Sequence, residues 1–357
     1  MKIGPYQTKA LDALLLFLPL AVVAEWLHWA PAAVFGMSAL AVVPLAGIMG
    51  VATEELALYV GPRVGGLLNA TLGNAAELII TVFAIRAGLT ELVLASITGS
   101  ILGNLLLVLG MSLLAGGIKY RTQTFDRAQA GTNSVMCLLA IAGLAVPSLF
   151  IAEVVKQHGR GQAAAAMSIG AAILLLLIYV LNLVYDFTRE TGTDPSELEG
   201  HGDPTWSKLS AIVVLVVTTL GIAWMSELLV GSVEATTKSL GWSEYFIGII
   251  IIPLVGNVAE HAVAVQMALK NKMELSLAIS LGSSLQVALF VAPVLVLFSL
   301  LLGHPLHLTF DTFEVDALLA AGIIAAFIAQ DGESNWLEGS ILLVLYALIA
   351  VAFFFVR

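Results

Sequence analysis

Charged residues are scarce in this sequence. They make up 11% of its 357 residues, whereas an ordinary soluble domain has about 25%. Hydrophobic residues make up 59% of the chain. So few charges cannot cover a water-exposed surface, which excludes a soluble domain and argues against a nucleic-acid partner. The composition therefore predicts an all-α, polytopic membrane protein that lies in a lipid bilayer.

Cysteine is also nearly absent: Cys137, in an apolar run, is the one example. A single thiol excludes a disulfide framework and a cysteine-based metal site. The histidines are scattered and form no H-E-x-x-H helix, which argues against an intramembrane metalloenzyme. We therefore expect no catalytic residue and no cofactor. The apolar run after Lys2 and Lys9 ends in no clear cleavage pattern, so the first span is expected to remain.

One short stretch is present twice, as Gly73-Asn74-Ala75-Ala76-Glu77 and Gly256-Asn257-Val258-Ala259-Glu260. The match continues downstream without a gap, since Gly99-Ser100 aligns with Gly282-Ser283 at the same offset. Chance does not maintain a register over that distance, so the chain is an internal duplication. Each copy places one glutamate in an apolar run, where a carboxylate is costly and marks a functional site by default.

Apolar windows of roughly 20 residues, long enough to cross a bilayer, predict about eleven spans. The first span, at 11–29, has no counterpart in the repeat. The others form two sets of five, at 32–60, 67–87, 90–116, 129–151 and 163–187, and at 207–233, 244–269, 274–302, 313–330 and 336–356.

Lysine and arginine are unequally distributed between the two sides that these spans define. Ten lie on the side of the N-terminus and five on the other side. The positive-inside rule then predicts a cytoplasmic N-terminus, and an odd number of spans places the C-terminus outside. In a prokaryote this protein is expected in the plasma (inner) membrane.

Five spans cross the bilayer an odd number of times, so the second copy is inserted upside down relative to the first. Secondary transporters use this inverted-repeat plan and bind their substrate near the midplane, between the copies. We predict an extra N-terminal helix at 1–30, a first repeat at 31–187, an acidic cytoplasmic linker at 188–206 and a second repeat at 207–357. The linker is either a solvated connector or a segment that senses cations.

The two glutamates, Glu77 and Glu260, suit a hard cation. Ca²⁺ prefers six to eight oxygen ligands, and neutral oxygens are available nearby from Asn74, Asn257, Ser100, Asn104, Ser283, Ser284 and Gln286. Two carboxylates balance one divalent cation or two protons. Without the cation, burial and mutual repulsion favour proton uptake. The pattern thus predicts exchange of Ca²⁺ for protons, with Glu77 and Glu260 as the metal ligands.

The glycines of the two motifs predict local helix breaks. Gly73 and Gly256 weaken their helices, and the asparagine after each can bond its own backbone, which leaves carbonyl oxygens free to face a cavity. Pro253 removes a further backbone donor in the second copy. Close helix packing is the simpler interpretation of the same glycines.

Three further side chains are candidates for proton relay or ion access. His261 follows Glu260 in the second copy only, and either relays protons or is an ordinary helix-bonded polar residue. Glu54 and Glu227 precede the two motifs near the ends of spans. They either lie at the membrane interface or line an access path.

The two glutamate motifs, 68–79 and 252–261, resemble those of the calcium/proton antiporters in the cation/calcium exchanger superfamily. The segments 99–104 and 282–286 resemble the polar helices that follow the motifs in that family. The resemblance covers nearly the whole chain. It implies an eleven-helix plan, the motif glutamates as central cation ligands, helper oxygens from the asparagine, serine and glutamine positions, and an acidic cytosolic segment between the halves.

Two other transport classes remain open. Sodium-driven exchangers usually have an acidic or asparagine residue at both second-helix positions, whereas here the pair is Asn104 and Gln286, and this neutral pair with His261 favours protons. Rings of charge suit passive channels, but two buried glutamates at a repeat interface suit alternating access better. Ca²⁺ and Mn²⁺ are not distinguished, and the oligomeric state is left open.

Overall fold

The computed structural model describes residues 13–151, 161–188 and 204–355, which are almost entirely helical. In chain order the helices are α1 (Phe17–Trp26), α2 (Pro31–Val60), α3 (Pro62–Leu72), α4 (Ala75–Arg86), α5 (Thr90–Tyr120), α6 (Arg127–Phe150), α7 (Gly161–Thr188), α8 (Lys208–Leu240), α9 (Glu244–Leu269), α10 (Met273–Leu302), α11 (Thr312–Ile328) and α12 (Trp336–Phe355). Within these ranges, eight helices are long and apolar enough to cross a bilayer.

The helices follow the predicted spans in order, with two main differences in extent. The third predicted span consists of two helices, α3 and α4, that meet at Gly73 and Asn74. Helix α8 continues to Leu240, seven residues past its predicted end. The predicted acidic linker lies outside the described residues except at its two ends. The inverted repeat and the number of spans stay predictions.

A short antiparallel ladder, which the sequence did not predict, joins two loops. Strand β1 (Thr122–Thr124) follows α5 and pairs with β2 (Glu333–Asn335), which precedes α12. The side chain of Gln123 extends this contact to a third loop, since its Nε2 donates to the carbonyl of Ala268 and to Oδ1 of Asn271, both at 2.9 Å. The loops after α5, after α9 and before α12 therefore meet at one end of the bundle.

At the opposite end, the loop before α11 is bonded to helices α6 and α7. The backbone N–H of Phe310 donates to Ser148 at 2.9 Å, and that of Leu308 donates to Ser168 at 3.0 Å. The loop at Gly88 lies against the His304 ring. The predicted spans place both members of each contacting pair on the same side of the membrane. These contacts therefore agree with the predicted order of crossings. Which end faces the cytoplasm stays a prediction.

Helices α5 and α9 cross closely at the centre of the bundle, where α5 is almost completely buried. A side-chain carbon at Gly99 would overlap the backbone carbonyl of Ile249. One at Gly248 would lie 2.5 Å from the Cβ of Ala95. Glycine at both positions therefore permits this approach, as small residues do between membrane helices. The crossing brings Ser100 on α5 close to the second glutamate motif.

Candidate functional site

Glu77 lies in the first turn of a helix that begins inside the bundle. Helix α3 ends at Leu72, and α4 begins at Ala75 with Asn74 as its N-cap residue. The helix break predicted at Gly73 is therefore present. The first N–H groups of a helix have no partner within it, and its dipole is positive at this end, so a carboxylate in the first turn is stabilised.

The break predicted at Gly256 is wrong. The segment Ile252–Leu269 is a continuous helix through Gly256 and Asn257. The irregular part lies upstream, in a π-helical turn at Ile247–Ile251. Pro253 cannot donate a helical hydrogen bond, and the wider turn before it accommodates this loss without opening the helix at the glycine. The two motifs thus have nearly the same residues but different backbones.

Glu77 is held by both halves of the chain. Its side chain is 2% exposed, and its Oε1 accepts hydrogen bonds from the Ser100 hydroxyl and from Nδ2 of Asn257. Ser100 lies on α5, whereas Asn257 belongs to the second motif on α9. Among the described residues, the other oxygen, Glu77 Oε2, has no hydrogen-bond partner.

Glu260 has an equivalent serine partner. The Ser283 hydroxyl donates to Glu260 Oε2 at 2.9 Å, and the sequence separation of 23 residues is the same as between Ser100 and Glu77. Asn104 Nδ2 in turn donates to Ser283 Oγ at 2.9 Å. Asn104 lies in a π-helical segment of α5, Gly103–Val108, a type of distortion that is frequent at functional sites. Glu260 is partly exposed, so the two carboxylates differ in access.

Each motif glycine lies against the glutamate of the other motif. A Cβ on Gly73 would lie 3.2 Å from Glu260 Oε1, and one on Gly256 would lie 3.1 Å from Glu77 Cγ. Both distances are shorter than ordinary carbon contacts. The two carboxyl groups therefore approach a common centre, where two ionised carboxylates repel each other.

The site has free acceptor oxygens. Asn74 Nδ2 donates to Gln286 Oε1 at 2.7 Å, which leaves its own Oδ1 available. Across the described part of the chain, Asn74 Oδ1, Asn257 Oδ1 and Glu77 Oε2 are buried without a hydrogen-bond partner. A buried polar atom without a partner is costly. Because all three atoms are acceptors, a cation, or water around one, satisfies them.

The centre relies on neutral oxygens as well as carboxylates. No group of three or more His, Cys, Asp or Glu side chains in the described ranges lies close enough together to hold a metal ion. A cation between Glu77 and Glu260 therefore has two carboxylates and must complete its shell from amides, hydroxyls, backbone carbonyls or water. This composition suits a hard cation that has to leave again.

Four predicted residues do not join this centre. The Ser284 hydroxyl donates to the Ser280 carbonyl of its own helix at 3.0 Å, because the two lie one turn apart on α10. His261 is buried, but neither ring nitrogen has a hydrogen-bond partner among the described residues, so neither of its predicted roles has a contact to support it. Glu54 and Glu227 are exposed on α2 and α8, respectively.

Two carboxylates that were not proposed as site residues are buried. Glu55 accepts from the backbone N–H groups of Thr205 and Trp206 and from the Thr205 hydroxyl, and so fastens α2 to the segment before α8. Glu314 is 1% exposed near the start of α11. The spacing Asp311-x-x-Glu314 before an apolar run is the signature of a capping box, and this pattern would have drawn attention to Glu314.

Comparison with known proteins matches most of the chain to one family. The model described as "Sodium/calcium exchanger protein" matches residues 30–188 and 210–355. The Ca(2+)/H(+) antiporter of Synechocystis sp. is 43% identical over 98% of this chain and 98% of its own length. The Ca(2+)/H(+) antiporter ChaA of Bacillus subtilis is 43% identical over 94% of this chain and 96% of its own.

The fold also matches a solved structure over its full length. The structure of native YfkE superposes with a TM-score of 0.84 at 41% sequence identity, and the match covers 97% of this chain and 100% of that one.

Proposed function

Because this chain belongs to the sodium/calcium exchanger protein family, an integral membrane transporter family, we propose that it exchanges Ca²⁺ for H⁺ by alternating access. Glu77 and Glu260 bind Ca²⁺ and protons in turn. The observation that supports this most directly is the pair of carboxylates at one centre with three acceptor oxygens that have no partner among the described residues. Relatives along the whole chain that are named as Ca(2+)/H(+) antiporters support the choice of ions.

Charge balance explains why one site serves both ions. With Ca²⁺ bound, two carboxylates and one divalent cation sum to zero. With two protons bound, both carboxyls are neutral. An empty, ionised pair is costly to keep inside a low-dielectric bundle, because two like charges, one of them buried, then have no compensation. The site therefore changes access while loaded with either ion and rarely while empty, and this condition couples the two fluxes.

The arrangement of ligands explains how a movement of the halves reaches the site. Glu77 is bonded by Asn257 of the second half, and Asn104 of the first half is bonded to Ser283. Each glycine also lies against the opposite glutamate. A shift between the halves alters all these contacts together, which suits a site that opens alternately to the two sides.

Orientation and membrane are part of the proposal. The excess of Lys and Arg on the N-terminal side favours a cytoplasmic N-terminus and an external C-terminus. The bacterial relatives favour the plasma membrane. The loops tied by the β1–β2 ladder then lie in the cytoplasm.

The test is Ca²⁺ uptake by the full chain in proteoliposomes under an imposed pH gradient and, separately, an imposed sodium gradient. We expect uptake with the pH gradient, loss of uptake with a protonophore, and no uptake in Glu77→Gln or Glu260→Gln. The matched control is Glu338→Gln, because Glu338 is a carboxylate at the start of α12, outside the centre.

Other outcomes of this experiment would change the driving ion, the substrate or the site. Uptake with sodium alone makes the chain a sodium-driven exchanger with the same cation site. Mn²⁺ uptake in place of Ca²⁺ changes the substrate. Retained transport in either Gln variant overturns the assignment of the site.

A further inference from the structure

Two amide side chains follow the site serines along helices α5 and α10. Asn104 comes four residues after Ser100, and Gln286 comes three residues after Ser283. Residues three or four apart lie on the same face of a helix, so each amide shares a face with the serine of its own helix. Both amides lie where a π-helical segment begins, a distortion that is frequent at functional sites.

Asn104 is bonded across the halves to the serine that holds Glu260. Its side chain is 1% exposed, and its Nδ2 donates to Ser283 Oγ at 2.9 Å. The Ser283 hydroxyl has a single proton, which it donates to Glu260 Oε2 at 2.9 Å. Because the amide donates to the hydroxyl oxygen, the hydroxyl proton cannot point back toward the amide nitrogen. Asn104 thereby fixes the direction in which Ser283 donates.

Gln286 is bonded in the opposite direction, to the asparagine of the first motif. The buried Asn74 donates from Nδ2 to Gln286 Oε1 at 2.7 Å. An N-cap asparagine usually accepts from the first turn of its helix. Here the backbone of Asn74 is not extended (φ −94°, ψ 16°), and its side chain forms no capping bond. Gln286 therefore holds this amide by its nitrogen, and among the described residues Asn74 Oδ1 is left as an acceptor without a partner.

Neither amide has a counterpart in the other repeat. At the offset that aligns the two glutamate motifs, Asn104 corresponds to Val287, and Gln286 corresponds to Gly103. Valine and glycine have no polar side-chain atom with which to form such a bond. Each half thus supplies one amide, and each amide holds a polar residue of the other half.

We propose that Asn104 and Gln286 are positioning residues that orient Ser283 and Asn74 for the cation and do not bind it themselves. The inference rests on the proposed Ca²⁺/H⁺ exchange and names how two neutral groups of its site are held. With Asn74 held by its nitrogen, the oxygen of the amide is the atom left for a cation. A site whose groups are already oriented loses less side-chain entropy when the ion binds.

The test is a double-mutant cycle for each bonded pair, since such a cycle isolates the interaction between two residues. The pairs are Gln286→Met with Asn74→Ala, and Asn104→Leu with Ser283→Ala. Methionine and leucine keep the approximate size of the amides without their polar groups. The half-saturation concentration for Ca²⁺ is measured at constant pH as exchange of ⁴⁵Ca²⁺ for unlabelled Ca²⁺ in proteoliposomes of the full chain, a mode that needs no proton gradient.

We expect Gln286→Met and Asn104→Leu, each alone, to raise the half-saturation concentration by about two- to tenfold. This range corresponds to the cost of immobilising one side chain. The maximal rate should stay within about twofold of the unmodified chain. In the background that already lacks the bonded partner, each amide substitution should change the half-saturation concentration by less than about twofold, because no oriented group remains to be lost.

Two controls accompany the cycles. Asn104→Leu combined with Asn74→Ala removes two residues that are not bonded to each other, so their separate effects should multiply. Gln129→Met removes an exposed glutamine amide in the first turn of α6 and should leave the half-saturation concentration within about twofold.

Effects that multiply within a bonded pair would make its amide a direct ligand or a structural residue, and would overturn the positioning role. An unchanged half-saturation concentration in both single amide variants would do the same. If one pair does not fold, as judged by size-exclusion chromatography, the other pair decides by the same criteria. Exchange of Ca²⁺ for Ca²⁺ without proton-driven uptake in the unmodified chain is a separate result: it refutes the proposed coupling to protons, while the cycles still decide the positioning role.

Discussion

At the scale of single residues, the bonding of Glu77 is one-sided. Ser100 and Asn257 both donate to Oε1, and Oε2 is left for another partner. Donors on one carboxylate oxygen fix the orientation of the group while the second oxygen stays open. A cation that enters therefore meets a carboxylate that is already oriented, and little side-chain entropy is lost when it binds.

Ser100 and Ser284 should respond differently to loss of the hydroxyl. In Ser100→Ala, the carboxylate of Glu77 loses one of its two donors, and a hydrogen bond to a charged group contributes about 1.5–3 kcal/mol. We expect the half-saturation concentration for Ca²⁺ to rise roughly tenfold or more at constant pH, as measured by initial uptake rates. Ser284→Ala should stay close to the unmodified value, because among the described residues the Ser284 hydroxyl bonds to its own helix. Equal effects in the two variants would contradict this geometry.

The centre of the site could be predicted because the duplication is visible in the sequence. Glu77 and Glu260, with Ser100 and Ser283, repeat at one offset, and repeat-equivalent residues were expected to face one centre. The self-bonding of Ser284 could not be predicted, since hydroxyls bond back to their helix or across it with no difference in sequence.

At the scale of helices, the close crossing of α5 and α9 depends on Gly99. A methyl group there would overlap the Ile249 carbonyl, and backbone does not move aside as a flexible side chain does. We expect Gly99→Ala to destabilise the protein by about 1–3 kcal/mol, the usual range for overpacking. Thermal unfolding in detergent measures this.

Gly103→Ala on the same helix is the control for that substitution. Its added Cβ meets no atom of the described residues within 4 Å, and alanine favours helix by up to about 1 kcal/mol over glycine. It should be neutral or slightly stabilising. Equal melting temperatures for the two variants would contradict a tight crossing at Gly99.

The helices themselves were predictable from the length of their apolar runs, but their irregular segments were not. The break at Gly73 and the continuous helix at Gly256 come from nearly identical motifs. The difference depends on how each helix packs and on Pro253, which lacks a backbone donor. The π-helical segment just upstream accommodates this missing donor. Sequence alone does not show where a helix accommodates a missing donor.

At the scale of the whole molecule, a shared site predicts competition between the ions. Acidifying the side from which Ca²⁺ loads should raise the half-saturation concentration for Ca²⁺, while the maximal rate at saturating Ca²⁺ is retained. If both carboxyl groups must release a proton before Ca²⁺ binds, the half-saturation concentration rises about a hundredfold for each pH unit of acidification. If only one must release a proton, it rises about tenfold. Uptake rates at several pH values and Ca²⁺ concentrations measure this slope. A half-saturation concentration independent of pH would contradict a common site.

The relative positions of the loops predict a labelling pattern. Cys137 is buried, so Cys137→Ser provides a background without reactive thiols. Single cysteines at Thr124 and Glu333, which are paired across the β1–β2 ladder, should react with an impermeant maleimide from the same side of sealed vesicles, and a cysteine at His304 from the other side. The positive-inside rule places the first two in the cytoplasm. Reaction of all three from one side would contradict the fold.

The bond between Glu77 and Asn257 also has a consequence for biosynthesis. The two residues are separated by 180 positions, and at about 5–20 residues per second a ribosome needs roughly 10–40 seconds to make that length. During this time α4 is in the membrane, and its glutamate lacks the partner that the second half will supply. An acidic residue at mid-membrane costs about 3 kcal/mol on insertion scales. Until then the apolar residues of α4 must offset most of that cost, with Ser100 of the first half as the earlier hydrogen-bond donor, so substitutions that make α4 more polar should reduce the yield of inserted protein before they affect transport.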